Sequence, residues 1–300
     1  MSHLRWQLNL AKRNWIGYVF VAPFLFIFVL FTLVPIVLSL VLSLTNFNML
    51  EFPDFVFMDN YIQLFLDDDL FLTSLKNTLI FSAIVGPSSY VLSFLVAWFI
   101  NELPPKIRAL VTFVFYAPSI AGNVYIVWKT LFSGDAYGWV NGALINMNLI
   151  TEPIQFFNDE DYVWPLIILV SLWTSLGTSF LSNIAGLQGV DRAQFEAAAI
   201  DGVKNRWQEA WYVTLPNMKP QLLFGAVMSI TGSFGFGAVI TELCGFPSVN
   251  YCAYTLSHHL DDYGTTRWEV GYASAISFII FLLCFGCNAV INKLLSKVGQ

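Results

Sequence analysis

Residues 188–216 read QGVDRAQFEAAAIDGVKNRWQEAWYVTLP, a polar segment between two long apolar stretches of the chain. Asp191 is placed to cap a helix through the alanine-rich residues 193–200, because its carboxylate can accept hydrogen bonds from the free amides of the first turn. Gly202 would end this helix, since glycine readily adopts the left-handed conformation. A second, amphipathic helix would then carry two tryptophans on one face. The segment therefore predicts a helix–turn–helix.

The composition is that of a membrane protein. The chain has 300 residues, of which 57% are hydrophobic and only 11% are charged, whereas an average soluble domain carries roughly 25% charged residues. A membrane-spanning helix needs about 20 mostly apolar residues, because lipid offers no partner to a bare backbone amide. Six stretches meet this requirement: residues 17–44, 74–100, 109–132, 162–187, 217–243 and 270–292. The sequence predicts an all-α membrane protein with six transmembrane helices.

Basic residues predict the orientation of these helices. With the N-terminus inside the cell, 11 of the 14 Lys and Arg residues fall in cytoplasmic segments, and only Lys76, Lys129 and Arg267 lie at the outer face. This bias follows the positive-inside rule, so both termini and the polar segment 188–216 are expected in the cytoplasm. Residues 1–15 mix Trp and Leu with basic side chains, which predicts a helix lying on the inner membrane surface.

The loops between the spans are short. Because none exceeds about 30 residues, too few for a core of its own, we expect one transmembrane domain over residues 1–300. The net charge of −6 comes largely from acidic side chains in the outer loops, which argues against a nucleic-acid partner.

Polar residues within the apolar stretches have two interpretations. Small and hydroxyl residues gather at 173–183 in the fourth span and at 229–235 in the fifth. They can hold helices together through close packing and hydrogen bonds. They can equally face a wet cavity, because hydrogen-bonding groups at membrane depth avoid lipid. The residues alone leave both interpretations open.

Three other groups of residues could carry chemistry. The run HHLDD at 258–262 resembles a set of metal ligands, but adjacent ligands seldom close a tetrahedron, so a solvated polar loop is favoured and no metal site is predicted. The acidic run at 67–69 is likewise expected to be solvated. Cys244 and Cys252 lie near the outer face and could pair, which their spacing does not decide.

The polar segment carries a recognisable motif. The run EAA at 196–198, the pair DG at 201–202, Trp207 and VTLP at 213–216 together resemble the EAA loop of membrane permease subunits of binding-protein-dependent ABC importers. The DG pair and Trp207 are similar to the carbohydrate branch, which includes the maltose and glycerol-phosphate permeases. Further similar residues are APF at 22–24, NT at 77–78, AP at 117–118 and GYASAIS at 271–277. The resemblance thus extends over nearly the whole chain.

This resemblance implies a fold and a function. The fold is the MetI-like permease fold of type I ABC importers. The function is to form half of the path for a sugar or oligosaccharide across the bacterial cytoplasmic membrane. The implied partners are a second permease subunit, two nucleotide-binding ATPase subunits and an extracytoplasmic solute-binding lipoprotein. ATP and Mg would be bound by the ATPase, and no cofactor is expected in this chain.

The resemblance also implies two sets of site residues. Coupling to the ATPase is expected to involve Glu196, Ala197, Ala198, Asp201, Gly202 and Trp207. Substrate contacts are expected at Trp173, Ser175, Thr178, Thr231, Gly232 and Gly235. A tryptophan beside hydroxyl groups suits a sugar, which offers an apolar face for stacking and hydroxyls for hydrogen bonds.

Other classes of membrane protein fit less well. The chain has no Gly-x-x-x-x-Gly-Lys-Ser/Thr motif, so we predict that it is not the ATPase, and no catalytic residue is assigned. A secondary, ion-coupled transporter usually carries ionisable residues at membrane depth, and only Glu242 is a candidate. An intramembrane serine protease would need a base beside its nucleophile, yet none of the three histidines lies in a span.

Overall fold

The computed structural model describes residues 15–295, with side chains up to residue 293. No β-strand is present in this range, and Thr45 and Phe55 form an isolated antiparallel bridge. The interfacial helix predicted for residues 1–15 lies, apart from Trp15, outside the described residues. The protein is all-helical over the part that is described.

Three single helices are long and apolar enough to cross a membrane. They are α1 (Trp15–Leu42), α3 (Asp69–Asn101) and α15 (Val270–Leu295). Three further candidates are pairs of helices that meet at a bend: α4 (Pro105–Ile120) with α5 (Tyr125–Leu131) at 89°, α7 (Glu160–Thr174) with α8 (Thr178–Gly189) at 44°, and α12 (Lys219–Ser233) with α13 (Gly237–Cys244) at 47°. By length and composition, the described residues therefore hold three candidate spans, or up to six if each bent pair is one span.

The remaining α-helices of the described residues are short. They are α2 (Asp59–Leu66), α6 (Trp139–Asn146), α9 (Arg192–Ile200), α10 (Arg206–Glu209), α11 (Leu215–Asn217) and α14 (Leu256–Asp261). Of these, α9, α10 and α11 belong to the polar segment 188–216, hereafter the loop.

Prolines affect single turns of the helices. Two of the three π-helical turns in the described residues, Val29–Leu33 and Ala210–Thr214, lie just before a proline, Pro35 and Pro216 respectively, and the third is Asp262–Thr266. A proline has no N–H to donate and its ring clashes with the carbonyl four residues earlier, so the turn before it widens. Pro87 lies inside α3, which stays continuous. A widened turn thus precedes two of the prolines, while α3 passes Pro87 without a break.

The described chain divides into two compact units, residues 15–67 with 260–278, and residues 68–259 with 279–295. In the first unit, the side-chain amide of Asn60 donates to the carbonyl oxygens of Ser43 and Thr45, each at 2.8 Å. The backbone amide of Gly271 donates to the Phe47 carbonyl at 2.8 Å. A Cβ at Gly271 would overlap the Thr45 carbonyl, so only glycine permits this approach.

The second unit is built around α3, which packs against α7, α8 and α12. One buried cluster joins Val85 of α3 to Ile167 of α7 and Ile240 of α13. Another joins Trp98, near the end of α3, to Phe180 of α8 and to residues that flank the loop. Cys244 and Cys252 are free thiols that both pack on the first cluster. This unit contains the loop and every predicted site residue.

The histidine pair corrects a prediction. His258 and His259 lie on α14 and are only 3% and 1% exposed, instead of forming a solvated loop. The His258 ring nitrogens lie 2.8 Å from Thr255 Oγ1 and 3.0 Å from Thr241 Oγ1. His259 Nε2 lies 3.0 Å from Asp68 Oδ2, and the other oxygen of Asp68 caps α3. Two of these contacts, with Thr241 and Asp68, are with residues distant in sequence, which is why spacing did not reveal the burial.

Burial of His258 predicts a stability that depends on pH. Desolvation lowers the pKa of His258 to about 4, whereas a free histidine titrates near pH 6.5. Between these values the unfolded chain binds the extra proton, so stability is lost as the pH falls from about 6.5 to about 4. We expect a loss on the order of 2–3 kcal/mol, measured as the melting temperature of the purified protein in detergent across this range.

The matched variant is His258→Gln, which keeps a polar side chain but cannot take up a proton. Because the neighbouring His259 also contacts a carboxylate, that of Asp68, the informative quantity is the difference in stability between the two proteins. The variant should lose less stability than the native chain on acidification. If the melting temperatures of the two proteins fall equally as the pH is lowered, His258 is not the group responsible.

Candidate functional site

The first arm of the loop folds as its sequence predicts. Asp191 Oδ1 accepts a hydrogen bond from a first-turn amide of α9 at 3.1 Å. Gly202 has φ of +97°, and its amide donates to the Ala199 carbonyl at 3.4 Å. The next amide, of Val203, donates to the Ala198 carbonyl at 3.0 Å. These two bonds form the Schellman motif that closes a helix at a left-handed residue, so the cap and the stop of α9 are both confirmed.

The second arm differs from the regular amphipathic helix that we expect. Asn205 Oδ1 caps α10 by accepting from the Gln208 amide at 2.9 Å, but α10 is a single turn that continues into the π-helical turn before Pro216. The Asn217 side chain then donates to Gln194 Oε1 at 2.5 Å. This bond ties the end of the second arm to α9 and holds the angle between the two arms.

The loop exposes large apolar side chains. Ile200 is 87% exposed, and Trp207, Trp211 and Tyr212 are each about two-thirds exposed. Single exposed apolar residues are ordinary, but several on one polar loop, three of them aromatic, have the composition of an interaction surface. Of the predicted coupling residues, Ala198 is half-buried and the other five are exposed. Ile200 is not among the predicted coupling residues, although an isoleucine at a helix end in a polar loop is a usable signal of a contact surface.

The second arm is also joined to the end of α3. Arg206 Nε lies 3.4 Å from Glu102 Oε1, and the ring of Trp207 lies 5.0 Å from the ring of Trp98. An exposed ion pair contributes about 0–1 kcal/mol and an aromatic pair about 0.5–1.5 kcal/mol. These contacts attach the loop to the central helix of the unit without rigidly fixing it.

A cavity of about 490 Å³ lies where the three bent helix pairs break. Its lining includes Ala121 and Gly122 from the first break, Ser175 from the second, and Gly235 and Phe236 from the third. A broken helix frees backbone groups that lipid cannot satisfy, so breaks at membrane depth face protein or a wet cavity. Because the three breaks line the cavity, their freed backbone groups can be satisfied there instead of facing lipid.

The cavity wall is rich in hydroxyl groups. The side-chain hydroxyls belong to Ser89, Ser119, Tyr125, Thr174, Ser175 and Ser229. None of the lining residues described is Asp, Glu, Lys, Arg or His. The cavity can accept hydrogen-bonding solutes without offering them a charge.

Three of the predicted substrate contacts lie in this wall, namely Ser175, Gly232 and Gly235. The other three do not line it. The Trp173 ring packs against another tryptophan, with centroids 5.4 Å apart. Thr231 Oγ1 accepts from an Asn288 amide of α15 at 3.0 Å. Which side of a broken helix faces the cavity could not be read from spacing alone.

The α4–α5 pair supplies lining residues that were not predicted from the sequence. Ala121 and Gly122 lie in the break, Ser119 near the end of α4 and Tyr125 at the start of α5. The signal is the run PSIAG at 118–122, because a proline followed by small residues inside an apolar stretch indicates an interrupted helix.

Other polar residues of the spans serve helix packing. The buried Ser93 hydroxyl lies 3.2 Å from Ser179 Oγ and accepts from the Asn183 amide at 3.2 Å, joining α3 to α8. Ser229 Oγ donates to Ser179 Oγ at 3.4 Å. Both interpretations of the polar residues therefore hold, and Ser229 combines them by lining the cavity and bonding to α8.

Comparison with known proteins agrees with these observations. The family model described as "Binding-protein-dependent transport system inner membrane component" matches residues 10–299. The chain is 30% identical over 281 residues to the probable ABC transporter permease protein YesP of Bacillus subtilis, covering 92% of this chain and 88% of that protein. It is 33% identical over 279 residues to the lactose transport system permease protein LacF of Rhizobium radiobacter, covering 89% of each.

A solved structure shares the fold. A crystal structure of a bacterial alginate ABC transporter, in complex with a periplasmic protein bound to an alginate pentasaccharide, contains a chain that matches with a TM-score of 0.79. The match covers 97% of this chain and 98% of that chain at 21% identity. The resemblance inferred from the loop is confirmed. The comparisons favour a permease subunit of an ABC importer, which is not catalytic, over the alternative of a secondary transporter. The chain belongs to the family of inner membrane components of binding-protein-dependent transport systems.

Proposed function

We propose that this permease forms half of the translocation path for a sugar or oligosaccharide across a bacterial cytoplasmic membrane. The observation that carries the proposal is the hydroxyl-lined cavity at the three helix breaks. Discontinuous helices near mid-membrane are where transporters bind polar solutes. The name of the lactose permease relative supports a saccharide as the class of solute.

The proposed topology has six spans, with both termini and the loop in the cytoplasm. It is supported by the three long helices and three bent pairs, together with the bias of Lys and Arg toward one side. The terminal basic residues at positions 5, 12, 13 and 297, on which part of this bias rests, lie outside the described residues.

The proposed partners are the subunits that would complete the cavity and cover the loop. One hydroxyl-lined wall needs a second permease subunit to enclose a path. The loop, through Glu196 to Gly202 and Trp207, would dock to one of two ATPase subunits that bind ATP and Mg. A solute-binding lipoprotein would deliver the sugar at the outer face. The exposed apolar side chains of the loop support the docking role.

The loop is placed to move one end of two helices. α8 runs from the cavity to the loop over 12 residues, and α12 returns from the loop to the cavity over 15 residues. At 1.5 Å per residue these helices are about 18 and 22 Å long. The breaks beyond them, at 175–177 and 234–236, are natural hinges. A push on the loop would therefore tilt α8 and α12 and reshape the cavity wall.

Reconstitution tests this function. Liposomes that contain the chain with its second permease, ATPase and binding protein should take up saccharide only when ATP is supplied on the ATPase side. The matched control omits the ATPase and imposes an ion gradient. Uptake by the chain alone under that gradient would contradict the proposal and restore the ion-coupled carrier.

A further inference from the structure

We infer that the cavity is built for uncharged saccharides and rejects sugars that carry a carboxylate or phosphate group. The inference rests on the proposed function and narrows its substrate class. It depends on where the hydroxyl protons of the wall point, on the absence of a counter-charge in the described lining, and on how the helix ends are arranged around the cavity.

The serine and threonine hydroxyls of the wall already donate their protons within the protein. The bonds run from Ser89 to the Gly86 carbonyl at 2.9 Å, Ser119 to Tyr116 at 2.8 Å, Thr174 to Val170 at 3.1 Å, Ser175 to Leu172 at 2.7 Å, and Ser229 to the Ser179 hydroxyl at 3.4 Å. A hydroxyl has one proton to donate and two lone pairs to accept with. What these groups retain for a solute is acceptor capacity.

This acceptor-rich wall discriminates by charge. A sugar hydroxyl both donates and accepts, so it can give its proton to the wall oxygens. An ionised carboxylate or phosphate oxygen only accepts, so it would face the serine and threonine oxygens without a hydrogen between them, and the Tyr125 hydroxyl alone would remain to donate to it. Moving such an anion out of water without a partner is strongly unfavourable. The described lining contains no Lys, Arg or His that could pair with it.

Helix ends do not supply the missing positive charge. Helix N-termini attract anions and C-termini repel them, each over about one turn. Every break at the cavity brings one of each together: α4 ends at Ile120 and α5 begins at Tyr125, and the same alternation holds for α7 with α8 and for α12 with α13. The dipoles therefore oppose one another at each break. Tyr125, Met228 and Phe236 instead offer apolar surface for the C–H face of a sugar ring.

The test uses matched pairs of saccharides. The complete importer, with its ATPase and binding protein in nanodiscs, is given mono- and disaccharides, each beside its C6 uronate and its C6 phosphate. We expect at least one neutral member to stimulate ATP hydrolysis, with half-maximal concentration at least tenfold lower than that of its charged counterparts. Strongest stimulation by a uronate or phosphate sugar would overturn the inference while leaving saccharide import intact. If no saccharide of any pair stimulates ATP hydrolysis by the assembled importer, the proposed function itself is contradicted.

A charge introduced into the wall tests whether this chain sets the discrimination. Ser175→Lys adds a cation to the cavity lining and should shift the preference toward the uronates at least tenfold. Thr178→Lys, three residues away and outside the lining, is the matched control and should leave the preference unchanged. An equal shift in both variants, or none in Ser175→Lys with the importer assembled, would place the discrimination elsewhere.

Discussion

Deletion of residues 196–202 should abolish association between this permease and its ATPase. The deletion removes more than half of α9 and also Gly202, the glycine between the two arms. It also removes Ile200, whose side chain is the most exposed of the large apolar side chains of the loop. Copurification of the ATPase on a tagged permease measures the effect. Full retention of the ATPase would contradict the docking role of the loop.

A single substitution tests the same surface without shortening the chain. Ile200→Asp places a charge where we expect an apolar side chain to enter the partner. Residues that dominate an interface contribute about 2 kcal/mol or more, so affinity should fall by about 30-fold or more. Because Ile200 is 87% exposed, its replacement leaves the packing of the permease itself nearly unchanged. Titration of labelled ATPase against the permease in nanodiscs gives the two dissociation constants.

The matched control is Ile200→Met, which keeps an apolar side chain of similar volume on a good helix former. It should bind within a few-fold of the native chain. If Ile200→Asp binds as tightly as Ile200→Met, the side chain is not part of the interface, and docking would rest on Trp207 and the acidic residues of the motif. Unchanged melting temperatures in both variants would show that the comparison concerns binding rather than folding.

Local chemistry explains what the sequence could predict. Asp191 and Gly202 act on amides and carbonyls within a few residues of themselves, so the cap and the stop of α9 follow from residue type and spacing. The apolar lengths of the spans are likewise a local property. The π-helical turn before Pro216 is also local, but the regular amphipathic pattern of the second arm hid it.

Long-range packing explains what the sequence could not predict. Ser175 and Thr178 are neighbours on the chain, yet only Ser175 lines the cavity, because a break at Gly177 turns the helix between them. His259 meets Asp68 across 191 positions of sequence. A periodicity assigns a residue to a helix face, and only the arrangement of the helices decides what that face meets.

Filling the cavity should stop transport without releasing the ATPase. Gly232 lines the cavity from α12, and a Cβ built on it would meet nothing within 4 Å. Gly232→Phe therefore projects an aromatic ring into a space of about 490 Å³ without distorting the helix, in which phenylalanine is favoured over glycine. We expect saccharide uptake to fall at least tenfold, while the dissociation constant for the ATPase remains that of the native chain.

The chain offers a matched control on another helix. Gly286 of α15 is exposed like Gly232 and also has nothing within 4 Å of a built Cβ, but it does not line the cavity. Gly286→Phe adds the same ring to the protein surface, so it reports the general effect of an extra phenylalanine in a span. Normal uptake with Gly232→Phe, or an equal loss with both variants, would contradict the assignment of the cavity as the path. A loss confined to Gly232→Phe, with ATPase still bound, separates the part of the molecule that carries the solute from the part that receives the work.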